Sequence, residues 1–196
     1  FMELNEDFWN DKYLQNKTGW DLKSPSTPLK EYIDQIKNKH CRILIPGCGN
    51  AYEAEYLAEQ GFTNITLVDI SNVIVEKIKA RFKNQPSINV IHQNFFDLEG
   101  KFDLILEQTF FCALDPKLRA AYSKKINELL AEKGKLVGVL FNHDFGNPEP
   151  PFGGNKTEYT TYFNDYFDFK IMEECYNSIP PRAGAELFIN LIKTDQ

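Results

Sequence analysis

A chain of 196 residues, 42% hydrophobic and 26% charged, is long enough to close one sizeable core and has an ordinary globular composition. Its net charge of −6 argues against general binding to nucleic acid, which needs a basic surface. No apolar run approaches the ~18 residues of a membrane-spanning helix, and the first residues lack the charged-then-apolar pattern of a leader.

The N-terminal stretch "EDFWNDKYLQN" places Phe8, Trp9, Tyr13 and Leu14 at helical spacing. A turn region, "KTGWDLKSPSTP", follows. Thr27-Pro28 reads as the cap and first residue of a second helix, whose apolar stripe is Leu29, Tyr32, Ile33 and Ile36. From Cys41 the pattern changes to alternating strand and helix. "CRILIP" is a short apolar strand, residues ~51–60 a helix, and "NITLVDI" a second strand. Ser71 caps the next helix, "INVIHQ" is strand three and "FDLILEQ" strand four. Pro116 opens a helix over residues ~116–131, and "GKLVGVLF" is strand five. The proline- and glycine-rich "NHDFGNPEPPFGGN" reads as a loop over the site. Two last strand-like runs, "FKIMEECYNSI" and "AELFINLIK", are joined by "PPRAG" as an antiparallel hairpin. The whole predicts an α/β three-layer sandwich with a mostly parallel, seven-stranded sheet and an antiparallel C-terminal hairpin.

Cys41 and Cys175 fall in predicted strands and Cys48 in a turn. The four cysteines include no CxxC pair, and three scattered histidines give no zinc spacing. The expectation is a reduced, cytoplasmic protein with no metal.

The first strand leads into Gly47 and Gly49, which allow a tight turn beneath a ligand. A dinucleotide site also wants a third glycine so that the helix can pack behind a pyrophosphate. Tyr52 stands there instead. Asp69, 20 residues after Gly49, ends the second strand where a ribose-binding carboxylate is expected. An adenosine cofactor without a diphosphate fits this set, and S-adenosylmethionine is such a cofactor. "QNFFD" after strand three offers Asn94 for hydrogen bonds to the adenine and Phe95 and Phe96 as apolar walls, with both phenylalanines as core the alternative.

"IPGCGNAYEAEYLAEQGF…ITLVDIS" resembles the first motif and acidic loop of class I S-adenosylmethionine-dependent methyltransferases, which have a Rossmann-like fold. "FDLILEQTFFCALDPKLRAAYSKKINELL", "FWNDKYLQNKTGWD" and "PPRAGAEL" resemble the thiopurine S-methyltransferase family, and within it the halide/thiol methyltransferase branch. The resemblance implies one methyltransferase domain over 1–196. A helical cofactor lid would span 1–40, a cofactor-binding core 41–141, and a substrate loop with the hairpin 142–196. It implies that Trp9, Tyr13 and Trp20 fold over the cofactor, where aromatic faces receive a sulfonium. It maps further contacts onto Gly47, Gly49, Asp69, Asn94, Phe95 and Gln108. Asn94 replaces the branch's usual aspartate and Gln108 its tyrosine.

No catalytic base is identifiable, although His143 and Asp144 lie in the loop after strand five. Phe110, Phe111, Phe141 and Arg182 are the candidates for the acceptor pocket. "LFN" at 140–142 replaces a tyrosine-proline pair of plant relatives, which favours a small thiol or other soft nucleophile over a halide. The partner is then a small-molecule methyl acceptor, with S-adenosylhomocysteine as the cofactor product. A small oxygen or nitrogen acceptor, or a non-catalytic cofactor-binding regulator, are the alternatives. The oligomeric state is open, and a monomer would suffice.

Overall fold

The computed structural model describes residues 3–195; Phe1, Met2 and Gln196 lie outside the described residues. Helices α1 (Glu6–Leu14) and α2 (Thr27–Asp34) precede β1 (Ile43–Pro46), α3 (Tyr52–Glu59), β2 (Ile65–Asp69), α4 (Asn72–Arg81) and β3 (Ile88–His92). Then come β4 (Phe102–Glu107), α5 (Arg119–Leu129), β5 (Leu130–Phe141), α6 (Lys156–Phe163), β6 (Phe167–Glu174) and β7 (Glu186–Lys193). The seven strands form one sheet in the order β3-β2-β1-β4-β5-β7-β6. β1 to β5 run parallel, and β7 inserts antiparallel between β5 and β6.

Alternation along the strands divides the core between the two faces of the sheet. Ile43, Ile45, Ile65, Leu67, Leu104 and Leu106 pack with Leu29 and Ile33 of α2, Leu57 of α3, and Ile74 and Ile78 of α4. Leu44, Ile105, Leu136 and Leu140 point the other way, onto Tyr122 and Ile126 of α5 and Tyr159 and Phe163 of α6. Each such side chain, fully buried, contributes about 1.5–3 kcal/mol. Because β1 lies between β2 and β4, the strand order reverses there. A crevice opens at their carboxyl ends, where open α/β sheets bind ligands.

Several boundaries differ from the sequence expectation. Ser26, not Thr27, is the cap of α2, with Thr27 and Pro28 already helical. Pro116 opens a 3-10 turn, and the α-helix starts only at Arg119. β5 begins at Leu130, directly from α5, because it pairs with Phe102 of β4 before the glycine at 134. Helix α6 was not expected. Its sequence "KTEYTTYF" is rich in β-branched and aromatic residues, but Asn155 caps it through Glu158 N and the core receives Tyr159 and Phe163. Cys41 and Cys175 fall just outside strands; all four cysteines are free.

β4 ends on Glu107, which is wholly buried. Its oxygens accept from Phe110 N at 2.9 Å, Phe111 N at 3.0 Å and Tyr122 OH at 2.7 Å. Burial pushes its carboxyl up to about 7 against those donors. The turn it holds includes Thr109 at φ +54°, a conformation that β-branched residues avoid. In register with Glu107, Gly138 of β5 leaves no room for a side chain: a Cβ there would lie 2.0 Å from Glu107 O.

Gly138→Ala should therefore lower the thermal midpoint by several degrees, through an overpacking cost of about 1–3 kcal/mol; calorimetry reads it. Glu107 should make stability pH-dependent. Its folded value of about 7 lies above the ordinary 4.5, so between the two the folded chain holds a proton that the unfolded chain has lost. Stability is then greatest below that window and falls as pH rises through about 7. Glu107→Gln should remove this part of the slope, on the order of 3 kcal/mol, in urea titrations compared at pH 5 and pH 8.

Candidate active site

The N-terminal segment reaches the crevice through polar ties. Asn5 caps α1 by accepting from Phe8 N at 3.0 Å. Asn10 Oδ1 accepts from Ser71 Oγ at 2.6 Å and from Val73 N at 3.2 Å, docking α1 on the start of α4. Glu6 lies 3.0 Å from His92 at the end of β3. No residue of α1 is fully buried, and Leu14, expected on the apolar stripe, is 66% exposed. Hydrogen bonds and ring contacts, more than an amphipathic face, hold this helix. Asp21 of "TGWD" accepts from Lys23 N at 2.8 Å and from Asn50 Nδ2 at 2.5 Å, which anchors the following loop behind the glycine turn.

These ties gather Trp9, Tyr13 and Trp20 into one edge-to-face cluster. The Trp9 and Trp20 ring centroids are 5.7 Å apart, those of Tyr13 and Trp20 5.8 Å. The cluster lies on the glycine turn. A Cβ on Gly49 would meet the Tyr13 hydroxyl at 3.3 Å, and one on Gly47 the Phe110 ring at 2.2 Å. Gly47 and Gly49 both have positive φ, and so does Ala51, the cap of α3. Tyr52, at the third-glycine position, is half-buried beside the Arg81 guanidinium.

Asp69 is 8% exposed and lies between the turn and α4. Its Oδ2 accepts from Gly49 N at 3.1 Å and its Oδ1 from Ser71 N at 2.9 Å. Burial raises its pKa, and the backbone donors oppose that. A carboxylate offers about four acceptor positions, so the backbone donors of Gly49, Ile70 and Ser71 leave room for a further hydroxyl. Burial also raises the Tyr13 phenol, with the Asp69 charge adding to it. Asn94 Oδ1 accepts from Phe96 N at 3.0 Å and caps a short turn, so its amide nitrogen is the end available to a ligand. Phe95 is 5% exposed and packs against Phe96, Phe110 and Tyr122, so it belongs mainly to the core.

A second group gathers at the ends of β4, β5 and β7. Glu186 pairs with Phe141 in register, which brings Arg182 over the Phe141 ring at 5.5 Å. Arg182 Nη2 donates to Trp20 O at 3.4 Å. Gln108 Oε1 accepts from Ser26 Oγ at 2.8 Å, and Ser26 N donates to Glu53 Oε1 at 3.1 Å. Burial raises the carboxyls of Glu53 and Glu186, and the Arg182 charge opposes both shifts.

The sequence-predicted residues thus separate into two sets. Gln108, expected at the cofactor, is bonded to the Ser26–Glu53 cluster. Phe110, expected at the acceptor, covers Gly47. Phe111 is 1% exposed among Tyr122, Tyr159 and Phe163 and is a core residue. His143 lies edge-on to Phe145, and Asp144 accepts from Gly146 N within its own turn. Asn10, Asp21, Ser26, Glu53, Glu107 and Glu186 escaped sequence reasoning, because single polar residues in loops and helix ends carry no periodic signal. The loop at 142–155 is pinned rather than loose. Phe152 N donates to Cys112 O at 2.7 Å, Arg119 Nη2 donates to Gly153 O at 2.7 Å, and Lys12 of α1 lies 3.6 Å from Glu149.

The donor set fits S-adenosylmethionine: aromatic faces for a cation, a free-lone-pair carboxylate for ribose hydroxyls, and a glycine turn without a pyrophosphate cradle. Comparison with known proteins agrees. A family model described as thiopurine S-methyltransferase matches residues 4–186. A probable thiol methyltransferase 2 of Arabidopsis thaliana is 30% identical over 156 residues, covering 77% of this chain and 69% of that protein. Thiocyanate methyltransferase 1 of Brassica oleracea is 29% identical over 196 residues, covering 93% and 83%. In fold, the chain is similar to 1,6-didemethyltoxoflavin-N1-methyltransferase of Burkholderia thailandensis, solved with S-adenosylhomocysteine. The TM-score is 0.77 at 18% identity, over 97% of this chain and 87% of that one. The chain belongs to the thiopurine S-methyltransferase family and is an S-adenosylmethionine-dependent methyltransferase.

Proposed function

We propose that this enzyme methylates the sulfur of a small thiol, or a comparable soft nucleophile. One observation carries the reading: the part-buried Arg182 guanidinium lying over the Phe141 ring beside the lid residue Trp20. A cation on an apolar wall suits a polarisable anion. The names of the relatives, thiol and thiocyanate methyltransferases, lend the same support.

S-adenosylmethionine would supply an electrophilic methyl group on a sulfonium. In this proposal Asp69 accepts from the ribose hydroxyls, and Gly47 and Gly49 let the backbone approach the methionine end. Asn94 and the edge of Phe95 meet the adenine. Trp9, Tyr13 and Trp20 present their faces to the positive charge and exclude water. Phe110, lying on Gly47, joins this cofactor set, while Phe141, Arg182 and Gln108 face the acceptor. Residues 1–40 act as the lid, 41–141 as the cofactor core, and 142–196 as substrate loop and hairpin within one domain. The acceptor's sulfur provides the electron pair, and its proton passes to water. A free thiol ionises near pH ~8.5, so no base is required. Four free cysteines suit a cytoplasmic setting.

A second reading, a small oxygen or nitrogen acceptor, is favoured by the buried carboxyls of Glu53 and Glu186, whose raised pKa values suit a base. Labelled-methyl transfer to a panel of thiols, halides, thiopurines, phenols and amines separates the two. Transfer to thiols without a bell-shaped pH profile is expected; cofactor binding with no transfer to any thiol would overturn the first reading.

Asp69→Ala should weaken cofactor binding about 10- to 150-fold, for hydrogen bonds worth about 1.5–3 kcal/mol; unchanged affinity by calorimetry would remove Asp69 from the cofactor site. Tyr13→Ala should raise the KM for the cofactor roughly tenfold, and Tyr13→Phe far less, since the ring face is what the cation meets. Steady-state kinetics with the cofactor varied reads both.

A further inference from the structure

Tyr52 stands where a dinucleotide loop would carry its third glycine, and it makes none of the contacts proposed for the cofactor. It serves a residue of another helix instead. The Arg81 guanidinium, at the end of α4, lies over the Tyr52 ring at 5.7 Å. Phe82 provides a second face at 4.3 Å, and Glu55 of α3 a carboxylate at 3.7 Å. Seated among these groups, Arg81 reaches the glycine turn. Its Nη2 donates to Asn50 O at 2.5 Å and to Ala51 O at 3.4 Å.

The turn needs such a hold. Gly47, Gly49 and Ala51 have φ of +56°, +52° and +55°. Glycine adopts that conformation freely, but it is disfavoured for Ala51, which carries a Cβ. Ala51 is also the cap of α3, and it offers no side-chain acceptor to the first N–H groups of the helix. On the other side of Asn50, Asp21 accepts from the Asn50 Nδ2 at 2.5 Å. The carbonyl and the side-chain amide of one residue are thus gripped from α4 and from the N-terminal segment. The same turn binds Asp69. Gly49 N donates to Asp69 Oδ2 at 3.1 Å, and Ala51 N donates to Cys48 O at 2.9 Å.

We infer that Arg81 is a positioning residue for S-adenosylmethionine, acting through the carbonyls of Asn50 and Ala51 to keep the left-handed turn closed around Asp69. Tyr52, in place of the third glycine, is one of the two rings that seat it. The inference rests on the reading that puts the cofactor at this turn. Arg81 donates to protein carbonyls and needs no contact with the cofactor. A residue acting by charge alone would repel the sulfonium, so it would treat S-adenosylmethionine and the uncharged thioether of S-adenosylhomocysteine differently. A residue that shapes the turn treats both alike, because they share the adenosine and the amino-acid end. Lysine replaces it only in part: the ammonium keeps the charge beside Glu55 but lacks the planar guanidinium that stacks on the rings.

The test titrates wild type, Arg81→Met, Arg81→Lys and Asp69→Ala calorimetrically with S-adenosylmethionine and with S-adenosylhomocysteine. Arg81→Met keeps an unbranched side chain and removes its donors. It should weaken both ligands about tenfold, by factors that agree within about twofold. Arg81→Lys should recover part of that loss with the same equal pattern, and it carries the test if Arg81→Met does not fold. Hydrogen exchange should show the Gly49 and Ala51 amides losing protection in Arg81→Met, with those of β1 and β2 unchanged. Unchanged affinity in Arg81→Met, where Asp69→Ala binds weakly, would overturn the inference and leave the cofactor reading standing. So would a gain in S-adenosylmethionine affinity relative to S-adenosylhomocysteine, the mark of charge alone. A loss of protection spread through β1 and β2, the mark of general loosening, would overturn it too. If neither Arg81→Met nor Asp69→Ala changes the affinity, the cofactor does not lie at this turn and both readings fall.

Discussion

The end of β4 is the constraint on which the site depends. Glu107 has no exposed surface, yet accepts from two consecutive backbone N–H groups and the Tyr122 hydroxyl. That carboxylate forces the chain to reverse immediately after the strand, through a left-handed threonine. The reversal sends Gln108 toward Ser26 and folds Phe110 back over Gly47. One buried acid therefore positions residues on both sides of the crevice. Its cost is visible in the raised carboxyl pKa, which burial dominates.

The second organising feature is how the N-terminal segment is held. α1 buries no residue fully, and of its side chains Tyr13 packs against the core. It is attached by Asn10 on Ser71 and Val73, by Glu6 beside His92, and by Asp21 on Asn50. Elements tied by a few polar contacts open more readily than packed ones. The core beneath is of the opposite kind, with interdigitated apolar faces on both sides of the sheet.

Among the described residues, buried polar atoms without a hydrogen bond occur beside the ends of β4 and β7, as they do at Arg119, Ser123 and Asn190. Gln108 holds Ser26 Oγ through Oε1 and leaves Nε2 without a hydrogen bond, while Arg182 donates from Nη2 to Trp20 O and keeps Nη1 in an ion pair with Glu186 at 3.9 Å. The nearby carboxyls of Glu53 and Glu186 are both raised by burial and lowered by the same guanidinium. Arg182 thereby ties the N-terminal segment, through Trp20 O, to the carboxyl of Glu186.

Sequence alone determined the parallel core, the glycine turn, the acid ending β2 and the C-terminal hairpin, because each is a local pattern of strand, turn and periodicity. Trp9, Tyr13 and Trp20 were legible as a set and do cluster, and "TGWD" and "TFFCALDP" carried the family likeness. Helix α6 was not legible, since the core contacts of Tyr159 and Phe163 overrode weak helix propensity. Only the tertiary structure decided where each of these side chains lies. It moved Phe110 onto Gly47, took Phe111 into the core, and tied Gln108 to a serine 82 positions away. The physical reason is that long-range hydrogen bonds and ring contacts set side-chain direction, and neither leaves a repeat in the chain. Glu53, Ser26 and Glu107 read as ordinary polar residues until the fold buries them together.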